Sequence, residues 1–513
     1  MKRLPIGFQT FSKIINENCL YVDKTEDIYN LISSGECYFI SRPRRFGKSL
    51  LISTLKEIFS GSKELFKGLY IYDKIKWEKY PVVHIDFSSI VYEKDRSTFE
   101  KSLSRVLKNI GTAYEITIEA QELKEQFDEL IRKLGSARKV VVLIDEYDKP
   151  IVDHITDTHK AQENREVLRE FYSVLKGCDG YLRFVFITGV SKFAKVSIFS
   201  GLNNLEDITL DRRFAKMTGI TQEELEEYFL EHLLVLQKQE EIAKDDLLED
   251  IRYWYNGYSW NGKDMLYNPF SLLNLFSSFQ FRNYWFATGT PTFLINLLKD
   301  QQFDIPQLEQ ATASEYLFDS YDIDNLEMVS LLFQTGYLTI KNIIRKERRT
   351  IYQLSYPNYE VKESLLNYIM AGMSGQPVTR IQPLHIDLHE ALEREDMDQF
   401  IGLLKSIFAG IPSHLQTGQN GFYYHSLFYL ILSLMGAKID LEVLTDKGRI
   451  DAVLELEDKI YRIEFKLDSA QKALSQIKTR KYYEKYLQKT KDIYLLGVGG
   501  FAEREINYAW ERA

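Results

Sequence analysis

Two groups of residues in this chain have the types and spacing needed to hold a divalent cation against a phosphate. The first joins a glycine-lysine-serine step, Gly47, Lys48 and Ser49, to a separate pair of carboxylates, Asp145 and Glu146. A lysine of this kind contacts the β and γ oxygens of a nucleoside triphosphate, and serine and aspartate oxygens are suitable Mg²⁺ ligands. The second carboxylate would polarise the attacking water, so the group predicts hydrolysis of a nucleoside triphosphate.

The local sequence supports this prediction but departs from the standard phosphate-loop pattern. A short apolar strand at 38–41 precedes a basic loop, and the lysine begins an amphipathic helix whose first N–H groups would face the phosphates. The pattern GxxxxGK[ST] requires its first glycine at Arg42, and bulky residues follow it. A basic turn that caps a helix is the alternative. We expect the nucleotide to contact Arg44, Arg45, Phe46, Gly47, Lys48 and Ser49.

A second observation favours the nucleotide site over the basic turn. The apolar run Val140–Ile144 ends directly in the two carboxylates, as a buried parallel strand does when its carboxyl end faces a ligand. Acidic residues that begin a solvated loop are the alternative here. The loop that carries Lys48 (the lysine loop), followed by a strand that ends in Asp145 and Glu146 (the acid-tipped strand), indicates one site. In this site Ser49 and Asp145 would bind Mg²⁺.

The second group lies near the C-terminus, on two predicted strands joined by a turn at Glu457-Asp458. Glu464 and Lys466 are two residues apart and therefore share a strand face, while Asp451 lies on the neighbouring strand. Asp451 and Glu464 would bind Mg²⁺, and Lys466 would orient the attacking water or neutralise charge at a phosphodiester. Gln476, on the following helix, would steady the substrate or the lysine. A cross-strand salt bridge is the alternative. The apolar flanking residues would bury these charges, however, and burial of charged groups is costly unless they have a function.

The elements that must position the first group alternate between strand and helix over residues 1–220. This alternation predicts an α/β fold with a parallel sheet covered by helices on both faces. Besides the two strands already described, we expect strands at Val82–Phe87 and Phe184–Thr188, and helices at Ser49–Phe59 and Phe99–Ile110. The whole range forms the predicted phosphate-loop domain.

Residues 221–372 predict a helical lid that contains a winged-helix-like module. Thr221, followed three residues later by Glu224, gives the capping-box signature of a helix start. Further on, the pattern of helix, hairpin and helix suggests the winged-helix module, whose hairpin turn carries the basic run Lys346-Glu-Arg-Arg349. A polar connection near 372–383 then precedes a third domain, 384–513, which carries the second group of charged residues.

Composition excludes several classes of protein. The formal net charge of -9 argues against a general nucleic-acid coat and leaves room only for a local basic site. The three cysteines lack metal-ligand spacing and support neither a disulfide framework nor a zinc cluster. Because the sequence contains no signal-peptide core and no run of about 18 apolar residues, we expect a cytoplasmic protein that is not inserted in a membrane.

Short motifs along nearly the whole chain resemble those of a single protein family. They are YVDKTEDIYNLI, SRPRRFGKSLL, VVLIDEYDKPI, FITGVSKF, WYNGYSW, NPFSLL, GYLTI, YPNYEV, GRIDAVLE, IEFK and ALSQIKTRKYYEKY. Together they resemble a family of predominantly bacterial proteins that join an AAA ATPase-like domain to a C-terminal PD-(D/E)XK nuclease-superfamily domain. In that family RPRRFGKS is the usual form of the Walker A loop, so the arginine at position 42 does not count against nucleotide binding.

The resemblance also implies roles for particular residues. AAA proteins place a polar residue that senses the γ-phosphate at the end of the next strand, here Thr188, with Ser191 as second choice. Arg212-Arg213 would supply an arginine finger or else form a solvated face. Many superfamily nucleases carry an acidic residue on the first core helix, but GFYYHSLFYLIL has none, so one metal ligand is absent or replaced. The implied catalytic set is Glu146, Asp451, Glu464, Lys466 and Gln476.

Three functions remain open from the sequence. The first is an ATP- and Mg²⁺-dependent enzyme in which nucleotide binding gates access of DNA or RNA to the nuclease site. The second is a nucleotide-dependent signalling or assembly protein whose nuclease-like domain only binds a partner or nucleic acid. The third is an ATPase that moves or loads nucleic acid through its winged-helix-like segment. We expect a homo-oligomer if a neighbouring subunit supplies the arginine finger.

Overall fold

The chain divides into two compact units, residues 1–288 with 311–361 and residues 289–310 with 362–513. The computed structural model describes residues 1–192, 198–199, 202, 204–286, 292–301, 303–319, 327–409, 422–436, 438–440, 450–480, 484–486, 491–500 and 506–513. None of the helices in these ranges has the length and apolar content needed to cross a membrane.

A five-stranded parallel sheet forms the centre of the first unit, as the alternating pattern predicts. The order is β2-β3-β4-β1-β5, so β4 lies between β1 and β3 and the carboxyl ends of the three strands meet at one edge. The four predicted strands are confirmed and are almost entirely buried. The strands are β1 Cys37–Ser41, β2 Val82–Asp86, β3 Val140–Asp145, β4 Leu182–Gly189 and β5 Glu206–Asp207.

Helices cover both faces of this sheet. Alternation along β1 sends Phe39 to one apolar core and Tyr38 with Ile40 to the other, which is the two-sided burial expected of a parallel sheet. Both predicted helices are confirmed, and the second begins earlier than expected because the Asp95 carboxylate accepts a hydrogen bond from the Thr98 N–H. The helices are Phe11–Asn16, Thr25–Ser34, Lys48–Phe59, Arg96–Ala113, Leu123–Gly135, Lys149–Val152 and Thr158–Gly177.

The rest of the first unit combines helices with a small antiparallel sheet. The capping box at Thr221 and Glu224 is confirmed, and so is the succession of helix, hairpin and helix. A third strand, β6, was not predicted. The helices are Gln222–Tyr228, Leu230–Glu240, Lys244–Tyr255, Pro269–Ser278, Glu315–Asp319 and Met328–Thr335; the strands, in the order β6-β8-β7, are β6 Ala311–Ser314, β7 Thr339–Lys346 and β8 Arg349–Ser355.

The second unit is built on a mixed sheet in the order β13-β12-β11-β10-β9. Only β11 and β12 run parallel, and the helix Ala470–Arg480 connects them. The other helices are Thr292–Asp300, Tyr359–Ser374 (whose first residues belong to the first unit), Val378–Glu393, Met397–Ala409 and Phe422–Leu434. The strands are β9 Lys438–Asp440, β10 Ile450–Glu455, β11 Lys459–Phe465, β12 Asp492–Gly499 and β13 Asn507–Arg512.

The predicted polar connection at 372–383 is wrong, because helices occupy most of it. Pro383 lies inside the helix Val378–Glu393, where a proline removes one backbone hydrogen bond. The same helix buries Ile381, Leu388 and Leu392. Burial of each such side chain contributes about 1.5–3 kcal/mol, so the three together outweigh a proline cost of about 3 kcal/mol.

Glu360 provides a test of the packing in the first unit. Its buried carboxylate accepts hydrogen bonds from the Ser271 hydroxyl (2.8 Å) and the Trp285 backbone N–H (2.6 Å). Burial raises the pKa of Glu360 from 4.5 to about 7. Since the folded pKa exceeds the unfolded one, the wild-type protein loses stability as the pH rises between these values, and the loss is complete above the folded pKa.

A Glu360→Gln variant keeps the shape of the side chain and cannot ionise. Between pH 4 and pH 8 its stability relative to wild type should increase by an amount on the order of 3 kcal/mol. Chemical denaturation at the two pH values measures this change. Glu327→Gln, which alters an exposed carboxylate, should show no such dependence on pH. A stability difference that is equal at both pH values would contradict the buried titration.

Candidate active sites

Two bulky residues of the phosphate loop, Arg42 and Phe46, lie in the core beneath the loop. Arg42, at the position of the usual first glycine, is buried and donates from Nη1 to the carbonyl oxygens of Ser41 and Thr209, both at 2.9 Å. Its guanidinium lies 4.1 Å from the ring centroid of Trp260, and Phe46 packs edge-on against the same ring. These contacts hold the side chain in the core, although its Nε is buried without a hydrogen-bond partner among the described residues, so an arginine can replace the glycine without obstructing the loop. The side chain of Phe46, which we expected at the nucleotide, thus belongs to the core.

Lys48 is held inside the loop. Its Nζ donates to the carbonyl oxygens of Arg42 and Pro43, both at 3.0 Å, and the side chain is buried. Burial lowers the pKa of Lys48, while the charges of three nearby carboxylates, Asp145 first among them, act to raise it. Gly47 adopts a left-handed conformation (φ 85°) immediately before the helix Lys48–Phe59, whose N-terminus carries a partial positive charge.

Three side chains at or just beyond the ends of β3 and β4 lie near the loop that holds Lys48. The Thr188 hydroxyl at the end of β4 donates to Asp145 Oδ1 at 2.6 Å, and both residues are buried. Glu146 adopts a left-handed conformation (φ 53°), which is strained for a non-glycine residue and is enriched at functional sites. Burial raises the pKa of Glu146, which moves this carboxylate toward the proton affinity needed in a general base.

Asp148 is a residue of this site that we did not predict. Its buried carboxylate accepts hydrogen bonds from the Val190 N–H and from both the backbone N–H (2.6 Å) and the hydroxyl (2.7 Å) of Ser191. Ser191, our second choice as a γ-phosphate sensor, is therefore engaged by a carboxylate. The third acid in the sequence IDEYD was the available signal. Asp148 fixes the segment that follows β4 relative to the acid-tipped β3.

A cavity of about 390 Å³, within the size range of small-molecule sites, opens onto Lys48, Glu146 and Asp148, whereas Asp145 and Thr188 are not among its described lining residues. Arg44 and Arg45 are exposed and line it, and the guanidinium of Arg45 lies 5.1 Å from the centroid of the Phe270 ring. Cations on one side and carboxylates on the other suit a triphosphate bound with a divalent cation. The predicted residues that line the cavity are Arg44, Arg45, Gly47, Lys48, Ser49 and Glu146.

One of the two candidate arginine-finger residues pairs with carboxylates close to it in the same chain. Arg213 forms ion pairs with Asp211 and Glu206, both at 2.5 Å. Arg212 is exposed, and neither arginine is among the described residues that line the cavity. This arrangement matches the alternative of a solvated charged face within a single chain.

The second site is organised by strand register. Glu464 on β11 lies opposite Asp451 on β10 and opposite Gly497 on β12. Glu464 is buried, and Lys466 is half-buried just beyond the end of the strand, where its backbone N–H donates to the Val498 carbonyl at 2.9 Å. The side chain of Asp451 lies outside the described part of the structure. The ladder nevertheless places both predicted carboxylate residues at adjacent positions on one sheet face.

The helix Ala470–Arg480 covers that face at very short range. A Cβ atom at Gly497 would lie 2.4 Å from the Ala470 carbonyl oxygen, so only glycine permits this approach. Gln476 is half-buried on the helix, and its Nε2 atom is buried without a hydrogen-bond partner among the described residues. An unpartnered buried amide is the kind of group that a bound substrate would satisfy.

Two further residues on this sheet were not predicted. Arg462 precedes Glu464 by two positions, shares its face and is buried. Asp440 on β9 pairs in register with Asp451, so three acidic positions cross three adjacent strands. Among the described side chains, no group of three His, Cys, Asp or Glu residues could hold a metal, but those of Asp440 and Asp451 are outside that set. The donor types across the ladder fit Mg²⁺.

Comparisons with known proteins match a domain in each part of the chain. The family model described as "Predicted AAA-ATPase" matches residues 5–199, and that of the PD-(D/E)XK nuclease superfamily matches residues 419–511. An "Uncharacterized protein in vnfD 5'region" from Azotobacter chroococcum mcd 1 is 40% identical over 509 residues, covering 97% of this chain and 96% of the relative. No solved structure matches the chain significantly.

The close approach at Gly497 makes a testable prediction. Gly497→Ala should destabilise the protein by about 1–3 kcal/mol, because the new methyl group overlaps the backbone of the helix Ala470–Arg480. Gly402→Ala is the matched control in the same unit, since that glycine is exposed in a helix with open space around it. The control should gain up to about 1 kcal/mol from helix propensity. Chemical denaturation distinguishes them, and equal stabilities would refute the predicted clash.

Proposed function

Because this chain belongs to the family of predicted AAA-ATPases that carry a C-terminal PD-(D/E)XK nuclease-superfamily domain, we propose that it hydrolyses ATP and cleaves nucleic-acid phosphodiesters at two separate sites. The observation that carries the ATPase half is the convergence of Lys48, Glu146 and the Thr188-Asp145 pair at the edge of the parallel sheet. We further propose that ATP regulates the nuclease site.

Each residue of the first site has a task in ATP hydrolysis. Lys48 would exchange its bonds to the two loop carbonyls for the β and γ oxygens of ATP. Ser49 and Asp145 would hold Mg²⁺, which when bound neutralises phosphate charge in the transition state. Glu146 would accept a proton from the attacking water, helped by its raised pKa. Thr188, hydrogen-bonded to Asp145, would position that carboxylate and report on the γ-phosphate.

Substitutions should separate binding from hydrolysis. Lys48→Ala should weaken ATP binding and reduce hydrolysis by about 100-fold or more, because a buried charge aimed at phosphate is lost. Glu146→Gln should retain ATP binding while kcat falls by about 100-fold or more. Equilibrium binding of a fluorescent ATP analogue and release of inorganic phosphate provide the two measurements. Lys56→Ala, on the exposed face of the same helix, is the control and should behave as wild type.

If Glu146→Gln binds ATP and still hydrolyses it at the wild-type rate, Glu146 is not the general base. If Lys48→Ala and Lys56→Ala are indistinguishable, the loop does not bind phosphate.

Residues of the second site would act on a phosphodiester. Asp451 and Glu464 would hold Mg²⁺, which when bound lowers the pKa of water and polarises the scissile phosphate. Lys466, half-buried beside the strand that carries Glu464, would neutralise developing negative charge. Gln476 would donate to the substrate from its unpartnered Nε2. The buried Glu464 in register with Asp451 is the observation that supports this half.

Cleavage assays test the nuclease half directly. Wild-type protein with Mg²⁺ should cut at least one of supercoiled plasmid, single-stranded DNA and RNA, with a rate that changes when ATP is added. Glu464→Gln and Lys466→Ala should each lower the rate by about 100-fold or more. The matched controls are Glu457→Gln, in the exposed turn of the same hairpin, and Lys472→Ala, on the exposed face of the following helix; both should cut normally.

The alternative function predicts a different result. A nucleotide-dependent assembly or signalling protein would bind nucleic acid or another partner at the second unit without cutting any substrate under any divalent metal. Cleavage that persists in both Glu464→Gln and Lys466→Ala would instead assign the activity to another site or a contaminant. A cytoplasmic location also belongs to the proposal, since all three cysteines are free thiols.

A further inference from the structure

The hairpin of β7 and β8 ends in a concentrated positive charge. Residues 344–349 are all exposed, and four of the six are cations. None of these four forms an ion pair with a carboxylate in the described part of the chain, although more than twenty ion pairs occur elsewhere in it. We call this segment the wing tip; its cations are Arg345, Lys346, Arg348 and Arg349.

The residues of the wing tip destabilise the hairpin that they close. Lys346 and Arg349 lie directly opposite each other in the ladder, and like charges at such positions repel. The turn between them places Glu347 and Arg348 at positive φ (50° and 65°), where asparagine and glycine are the favoured residues. Because these choices oppose the stability of the hairpin, a binding role accounts for them better than packing does.

The rest of the module determines what kind of contact the wing tip can make. In a winged helix that reads base sequence, a helix enters the major groove. Here the helix Met328–Thr335 is almost entirely buried, and Gln334 accepts a hydrogen bond from the backbone N–H of Lys192 at 2.6 Å. That helix cannot enter a groove, whereas the wing is exposed and can make contact. A cationic wing without a recognition helix suits the phosphate backbone and not the base edges.

The contact surface also has a polar stem. Asn342 and Gln353 pair across the hairpin on its solvent face, with Asn342 Nδ2 donating to Gln353 Oε1 at 3.0 Å. Both amides are exposed on the same face as Lys346 and Arg349. Three of the four tip cations are arginines, whose planar donors match phosphate oxygens in pairs. This combination fits a sugar-phosphate backbone better than an acidic peptide, whose charges are less dense.

We propose that the wing tip binds the phosphate backbone of a nucleic-acid duplex and that this contact accelerates ATP hydrolysis. The overall charge of -9 repels a polyanion, but salt limits that repulsion to about 8–10 Å, so a projecting cationic tip is attracted locally. The acceleration rests on the proposed ATPase activity. The binding does not.

The base of the hairpin touches the phosphate loop. Gly336, three residues before β7, packs against Pro43. The ring of Tyr337 packs edge-to-face against Trp285, with 5.3 Å between ring centroids. The indole N–H of Trp285 donates to the Arg44 carbonyl at 3.2 Å. A strand of this length extends about 23 Å, beyond the screening length of physiological salt. The tip therefore acts on the ATP site through these packed contacts and not through its own field.

Salt dependence of binding tests the first half. A fluorescent 20-base-pair duplex is titrated with the full chain in EDTA, which prevents cleavage, between 50 and 200 mM NaCl. Substituting glutamine for all four tip cations should reduce the slope of log Kobs against log salt by about 3.6, because each lost phosphate contact removes about 0.9. Affinity at 50 mM salt should fall by at least about tenfold.

The matched control removes the same charge elsewhere. Lys101, Arg105, Lys108 and Lys124 are exposed and lack ion pairs in the described structure; changing all four to glutamine should alter the slope by less than 1. Equal slopes for wild type and the wing variant, or an equal loss in the control, would overturn the proposal. So would binding of poly-glutamate as tight as that of the duplex, since the partner would then be an acidic protein.

Two further measurements keep the outcome decisive. If the fourfold wing variant has a lower unfolding midpoint than wild type, Arg348→Gln with Arg349→Gln replaces it and should give about half the slope change. The ratio of ATP hydrolysis with and without duplex should exceed 1 in wild type and approach 1 in the wing variant. A wild-type ratio of 1 overturns the acceleration, and the rate without duplex shows whether the ATPase itself is absent.

Discussion

The first unit depends on one constraint, the burial of a positive charge between a loop and the edge of a sheet. An ammonium removed from water must be paired or hydrogen-bonded, and Lys48 satisfies this requirement with two loop carbonyls and the field of nearby carboxylates. The loop must therefore close around the lysine, and β1 and β3 must end at the same edge. The strand order, with β4 between them, brings the Thr188 hydroxyl to Asp145.

The same principle explains the unusual sequence of the loop. Arg42 would obstruct a phosphate if it pointed into the cleft, but carbonyl oxygens and the Trp260 ring hold it in the core. Phe46 joins it there against Tyr258 and Trp260. These aromatic residues, Tyr258 and Trp260, come from the segment after the helix Lys244–Tyr255. The middle of the chain therefore supplies the packing partners of the phosphate loop. Two arginines, Arg44 and Arg45, remain exposed at the cavity and add positive charge to a lining that also contains Glu146 and Asp148.

In the second unit, close packing takes the place of a buried lysine as the organising feature. The absence of a side chain at Gly497 allows the helix Ala470–Arg480 to reach the sheet face that holds Glu464. The pattern of alternating residues predicted the shared face of Glu464 and Lys466, because strand periodicity is a local property. The register that sets Asp440, Asp451 and Glu464 in one row depends on how three strands pair, and local sequence does not fix that pairing.

Sequence alone determined the elements whose causes are local. Apolar runs predicted β1 to β4, the capping box predicted the helix at Thr221, and residue types predicted the chemistry of the lysine loop and the acid-tipped strand. Only the tertiary structure decided where Arg42 and Phe46 point, that Asp148 clamps Ser191, and that helices replace the expected connection at 372–383. The physical reason is that these outcomes depend on partners far apart in the chain, whose burial and hydrogen bonds outweigh local preferences such as the effect of Pro383.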